Sequence, residues 1–389
     1  MKRCWLHIGM HKTGTTSLQT NLKRIGSTDE WEYVCVGGKL HMNTPFHAMF
    51  ATNPFHYHWF DKQGVSAETL KQRGENLRER LAAAITRSKA GTVILSAEAL
   101  PLVDKDGIGR LKEFLAPFFD EIRVIGYVRP PVSFKVSIFQ EMVKGGRSKF
   151  ELGGIKLNYR RKFEKFDTHF GRENVVLRKF DPSSFADGCT VSDFFATIGL
   201  TPPPRETIKR TNESMSLGAC GILYVYRRFG PGYGSGPGVV AENLQLIKIL
   251  LAMKGDKFAA APSIVANGLE KEAADIRWME SRLGASLSEN LTEAHGITSE
   301  ADLLNIPRAT IDEFVKRVRT VQKYHIPPEL VPTGDPADPK ELANLVEHCR
   351  GVIREELRVQ REQQERRRKG LRGFLRRFVR KLRKAAGRV

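Results

Sequence analysis

The run Cys4 to Gln19, CWLHIGMHKTGTTSLQ, constrains this chain more than any other stretch: an apolar strand turns through glycines into hydroxyl residues and a helix. Gly9 and Gly14 keep the spacing of the GxxxxGK[ST] loop, whose main-chain N–H groups wrap a phosphate. Thr15, Thr16 and Ser17 open a helix whose first N–H groups lack partners within it, and the dipole there favours an anion. Leu18, Leu22 and Ile25 follow at i, i+4 and i+7, the spacing of a helix that packs on a sheet. An oxyanion cradle is expected here. Its lysine is displaced, however. In an ATPase it follows the second glycine, whereas here Thr15 holds that slot and Lys12 stands two residues before Gly14, toward the side of the loop that faces a bridging oxygen or leaving group.

A second strand-to-helix unit lies between Ile122 and Val143, IRVIGYVRPPVSFKVSIFQEMV, with Arg129 at the strand's carboxyl end and prolines suited to a first helical turn. Arg129 and Ser137 are eight apart, at the strand tip and in the second turn of the helix. From there they can converge on one phosphate, the guanidinium as a bidentate fork and the hydroxyl as an added donor. A third apolar strand, in GTVILSAEAL at 91–100, places Glu98 just past its carboxyl end, where open α/β sheets gather ligands. Glu98 there is either a general base or a cap or ion-pair partner; His11, beside the loop, is its rival as base and otherwise orders the loop or substrate.

Taken together, HKTGTTS at 11–17 and the Arg129/Ser137 pair resemble the superfamily of sulfotransferases that use 3′-phosphoadenosine 5′-phosphosulfate (PAPS). GRENVVLRKFDPSSF at 171–185, followed by VSDFFATIGL at 191–200, is similar to that family's later strand, loop and helix. Asn212, Glu213 and Ser214 look like the NxS loop of its bacterial members. The resemblance spans about residues 4–215. Pro131 with Val132 departs from it, since many members carry a polar or acidic residue at that helix start. The resemblance implies a P-loop-like, three-layer α/β fold with a mostly parallel sheet, and PAPS as sulfuryl donor. It implies Lys12, Thr13, Gly14, Thr15, Thr16 and Ser17 around the 5′-phosphosulfate, and Arg129, Ser137, Asn212 and Ser214 as further nucleotide contacts. It also implies a base at the Glu98 strand end, a carbohydrate or glycolipid acceptor, and no metal. Two other classes stay open: an ATP- or GTP-dependent P-loop kinase, against which stand the missing lysine after Gly14 and strands lacking the usual terminal Asp, and a non-catalytic basic adaptor for membranes or polyanions.

The adaptor reading rests on charge. Of the net +19, the segment from Arg354 to Val389 carries +11, with 15 Lys/Arg against 4 Glu. Asp338, Pro339 and Glu341 read as the N-cap, first-turn proline and N3 acid of a helix. After Gly370 a second helical pattern sets Leu371, Phe374, Leu375, Phe378, Val379 and Leu382 on one face and basic residues on the other. An anionic membrane surface meeting 371–385 is the first expectation, and docking on protein the second. Nucleic acid is disfavoured, because aromatics interleaved for base stacking are missing.

With 389 residues, 41% of them hydrophobic, the chain can bury one substantial α/β core and an appended helical region. The five cysteines form no CxxC pair, which suits a reducing compartment. A strand beginning within five residues of Met1 leaves no room for a signal peptide, and no stretch reaches the ~20 apolar residues of a membrane span, so a cytoplasmic enzyme, peripheral on the inner face of the membrane, is expected. The expected organisation is a core at 1–215, helices at 216–326, a linker at 327–339 and a basic helical tail at 340–389. RRFGPGYGSGPG at 227–238 reads as a flexible loop, and the His- and aromatic-rich stretch 41–60 as either an acceptor-pocket wall or a loop over the core.

Overall fold

A computed structural model describes the backbone of residues 1–37, 42–56, 60, 65–209, 214–236, 238–291, 296–320 and 323–386, and side chains within these to residue 367, His56 excepted. Two compact units interleave along the chain. The first comprises 1–138, 152–212 and 261–293, the second 139–151, 213–260 and 294–389.

The first unit is an α/β domain. Its five strands are β1 (Arg3–His7), β2 (Trp31–Tyr33), β3 (Thr92–Ser96), β4 (Glu121–Val128) and β5 (Val175–Lys179), in the order β2-β3-β1-β4-β5. Every pairing is parallel. Central parallel strands are covered on both faces, which is why β1, β3 and β4 read as apolar runs without alternation. On one face Trp5, Ile94, Ile125 and Tyr127 form a core with Phe194 and Phe195 of the Thr190–Thr197 helix. Helix α1 (Thr15–Ile25) adds Leu18 and Leu22 to that core, with Ile25 packed at its margin, as its spacing requires. Against β4 lies the Tyr159–Phe170 helix, whose Phe163 and Phe166 are fully buried.

This strand order decides where a site can form. β1 is flanked by β3 and β4, and His7, its last residue, is in register with Ser96 on one side and Ile125 on the other. The chain leaves β1 for the glycine loop, β3 for Glu98 and β4 for Arg129. Three segments remote in sequence therefore emerge side by side at the carboxyl edge, the place where open parallel sheets bind ligands.

The second unit is helical, built around Leu217–Phe229, Val239–Leu251, Arg308–Thr320 and Pro339–Ala386. The glycine-rich stretch after Phe229 is held more firmly than its composition suggests. Buried Arg350 donates to the carbonyls of Gly232 and Tyr233 and to Tyr226 Oη, while Arg227 donates to Gly232 O at 3.1 Å. Asp338 caps the last helix as expected, its Oδ1 accepting from the N–H groups of Lys340 (2.9 Å) and Glu341 (3.1 Å). The break expected at Gly370 is not there: one helix runs from Pro339 to Ala386, because each helical glycine costs only about 1 kcal/mol. The side chains of 371–385, on which the membrane expectation rests, lie outside those described. Among the described residues no helix is long and apolar enough to cross a membrane.

Candidate functional site

The loop after β1 begins as a continuation of the sheet, Ile8 N–H donating to Ile125 O at 2.9 Å. It then turns through three left-handed residues, Gly9 (φ 57°), Lys12 (φ 69°) and Gly14 (φ 79°). A side chain at Gly9 would place its Cβ 2.8 Å from Thr15 Oγ1 and 3.0 Å from the Glu98 Cα. Gly9→Ala is accordingly expected to cost about 1–3 kcal/mol through strain and collision; an unchanged urea midpoint would contradict the tight packing of this turn. Thr13 is fully buried, and its hydroxyl donates to Met10 O at 2.7 Å while accepting from Met10 N–H. Thr13 therefore staples the loop with its side chain.

Helix α1 starts at Thr15 with Gly14 as N-cap and no side-chain cap. Leu18 N–H makes the first turn's bond to Gly14 O at 3.0 Å, so the amides before it have no carbonyl within the helix. Thr16 and Ser17 are half-buried there. Thr15 Oγ1 is buried without a hydrogen-bond partner among the described residues. A buried hydroxyl left unmatched costs free energy, so one at this position calls for an acceptor.

Two side chains grip the main chain of Lys12. Its N–H donates to Glu98 Oε1 at 3.1 Å, and its carbonyl accepts from Arg129 Nη1. The same Nη1 donates to Ser137 Oγ at 3.3 Å, and Arg129 Nε reaches Ser133 Oγ at 3.4 Å. Arg129 and Ser137, eight apart in sequence, do converge. The guanidinium also lies 5.6 Å from the centre of the Phe180 ring, and Tyr159 Oη donates to the Arg129 carbonyl at 2.6 Å. Burial lowers the Arg129 pKa and the nearby Glu289 carboxylate opposes that shift; an arginine keeps its charge throughout.

Glu289 is a residue that sequence reading missed. It accepts from Val132 N–H (2.8 Å) and Ser133 N–H (3.1 Å), capping the Pro131–Lys144 helix from over 150 residues away. This answers the departure at Pro131 and Val132: the acid that caps that helix comes from a distant loop. No local signal marks Glu289, since a cap is legible only when it adjoins its helix.

Beneath the loop, His7 Nδ1 lies 2.8 Å from Ser96 Oγ, which accepts from Gln19 Nε2 at 3.1 Å. Complete burial drives the His7 pKa down to about 3. His47, whose Nε2–H donates to Ala99 O at 3.1 Å, is lowered to about 4, mainly by burial, with His11 adding a small push in the same direction. Both rings are neutral in the folded protein. Unfolding frees them to take protons below about pH 6.5, so stability falls as pH drops from 6.5 toward 4, by up to about 1.4 kcal/mol per pH unit for each ring. His7→Asn is expected to flatten that dependence in urea titrations; parallel curves for the two proteins would refute it.

His11 and Lys12 are half-buried on the loop, as is Glu98 beside it. Asn212 and Glu213 lie outside the described residues, and Ser214 is exposed and belongs to the second unit.

A search of solved structures returns the crystal structure of a sulfotransferase from Alicyclobacillus acidocaldarius, at 13% identity and a TM-score of 0.34, covering 65% of this chain and 97% of that one. No protein-family profile and no curated protein matches the sequence.

Proposed function

We propose that this protein is a sulfotransferase that moves a sulfuryl group from PAPS to a hydroxyl of a carbohydrate or glycolipid acceptor. The observation that carries the reading is the double grip on Lys12, by Glu98 at its N–H and by Arg129 at its carbonyl, at the shared edge of β1, β3 and β4. An anionic donor fits the residues around it. Left-handed glycines let the main chain approach, the start of α1 has no side-chain cap, and the unmatched Thr15 hydroxyl awaits an acceptor.

PAPS supplies an activated sulfuryl group joined through oxygen to its 5′-phosphate. Glu98 accepts the proton of the acceptor hydroxyl as the new O–S bond forms. Lys12 and the amides of residues 13–17 carry the charge that develops on the departing phosphate oxygen, donors fixed in advance where charge appears. Arg129 and Ser137 hold the 3′-phosphate. A lysine ahead of Gly14 suits a bridging oxygen better than the β/γ position that kinases address.

Calorimetric titration in the presence of EDTA tests this reading. Adenosine 3′,5′-bisphosphate should bind without metal and labelled PAPS should transfer sulfate to one fraction of cell glycans. Magnesium-dependent ATP binding with no bisphosphate binding would sink it and favour a kinase. The basic C-terminal helix is assigned to anionic membrane surfaces, where each basic residue contributes roughly 1 kcal/mol. Removing 370–389 is then expected to abolish sedimentation with phosphatidylserine vesicles, and undiminished sedimentation would remove this role.

A further inference from the structure

The first unit holds a cavity of about 690 Å³ between the segment that follows Glu98 and the Tyr159–Phe170 helix, and neither the loop nor Arg129 lines it. Its walls carry Lys105, Arg160, Arg161, Lys162 and Lys165. Two carboxylates also line it, and both already have partners. Asp104 caps the Lys105–Leu115 helix through Gly107 N–H at 2.9 Å and accepts from Thr52 N–H and Oγ1, and Glu164 is paired with Arg160 at 2.8 Å. Among the described residues, none of Lys105, Arg161, Lys162 and Lys165 has a carboxylate within ion-pairing distance.

Two of these amines are also withdrawn from water. Lys165 is 8% exposed and donates to the carbonyls of Pro101 (2.6 Å) and Val103, using two of its three N–H groups. Lys162 donates to Leu157 O, and its amine stands 4.5 Å from the centre of the Phe134 ring. Burial lowers both to about 8, so both remain mostly charged at neutral pH. Burial of these two amines is costly even with Asp275 and Glu272 acting on Lys162 and Asp104 on Lys165, and an anion placed in the cavity relieves it further. The wall is also tied to the proposed base. His47 lines the cavity and bonds the carbonyl of Ala99, the residue after Glu98, and Lys165 clamps Pro101 and Val103 just beyond.

We infer that this cavity binds an oxyanion group, carboxylate, sulfate or phosphate ester, carried by the saccharide acceptor, so that the acceptor is an acidic sugar. Its role as acceptor rests on the transferase reading above; the cavity's preference for an anionic sugar does not. Charge and neutral shape separate cleanly in small probes. Glucuronate and glucose 6-sulfate should give saturation-transfer NMR signals with the full-length protein, and glucose should give none at equal concentration. The double variant Lys105→Glu, Arg161→Glu alters two exposed side chains, and circular dichroism checks its fold. It is expected to weaken binding of both acidic sugars at least tenfold while leaving adenosine 3′,5′-bisphosphate affinity unchanged. Equal binding of glucose, or acidic-sugar binding untouched in the double variant, overturns the assignment. If the bisphosphate binds wild-type protein and the sugar discrimination is missing, the cavity assignment alone falls. If the discrimination holds and the bisphosphate does not bind, the cavity assignment stands and the transferase reading falls.

Discussion

Glu98→Gln lowers sulfate transfer by about 10²–10⁴-fold while leaving donor affinity nearly intact, if Glu98 removes the acceptor proton. Glutamine is the informative replacement because its Oε1 still accepts from the Lys12 N–H, which Glu98 holds at 3.1 Å. Loop geometry survives and only proton affinity is lost, so the effect should fall on kcat and spare the bisphosphate dissociation constant. Glu98→Ala removes the anchor as well and should weaken donor binding in addition. Near-normal turnover in Glu98→Gln would transfer the base role to His11, which precedes Lys12 on the loop, and His11→Ala would then carry the loss.

Lys12→Met is expected to reduce turnover by about 10²–10³-fold, the loss typical of removing one donor aimed at developing negative charge. Methionine keeps an unbranched stem of similar length and removes the ammonium alone. The main chain at residue 12 is held through its N–H by Glu98 and through its carbonyl by Arg129, so the left-handed turn does not depend on the side chain's identity. Folding stability should change little, while kcat and kcat/KM fall together, as for an interaction made only in the transition state. A Lys12→Met enzyme that turns over normally would exclude the side chain from charge stabilisation and leave that task to the amides at the start of α1.

These two substitutions probe different ends of the proposed reaction, and the fold places the groups that hold this loop side by side. Glu98 and Arg129 follow β3 and β4, which flank β1, and both contact the main chain of the same loop residue. Loss of one anchor shifts the loop that the other holds. A double-mutant cycle between Glu98→Ala and Arg129→Lys is therefore a place where additivity should fail.

Much of this arrangement was legible in the chain. Apolar runs, turn glycines and helix-opening hydroxyls are local signals, because they reflect what each segment's own backbone and side chains require. The strand, loop and helix at 4–25 and the proline-led helix after Arg129 follow from them. Even the meeting of Arg129 with Ser137 was readable, since a strand tip and the second helical turn beyond it are close for local reasons.

Other features depend on which distant segments become neighbours, and that is a matter of strand order and helix packing. Glu289 on the Val132 amide, His7 with Ser96 and Gln19, and the clamp of Arg227 and Arg350 on the glycine-rich stretch each join residues whose spacing carries no signal. The glycine-rich stretch makes the point in reverse: composition speaks for freedom, and two buried guanidiniums remove it. By itself the sequence determined the glycine- and threonine-rich loop between strand and helix, its displaced lysine and an arginine eight residues ahead of a serine, because those are properties of short segments. Only the tertiary structure decided that Glu98 and Arg129 hold the same loop residue and that four cations with no carboxylate within ion-pairing distance among the described residues line one cavity, because burial and through-space charge exist only once the sheet has closed.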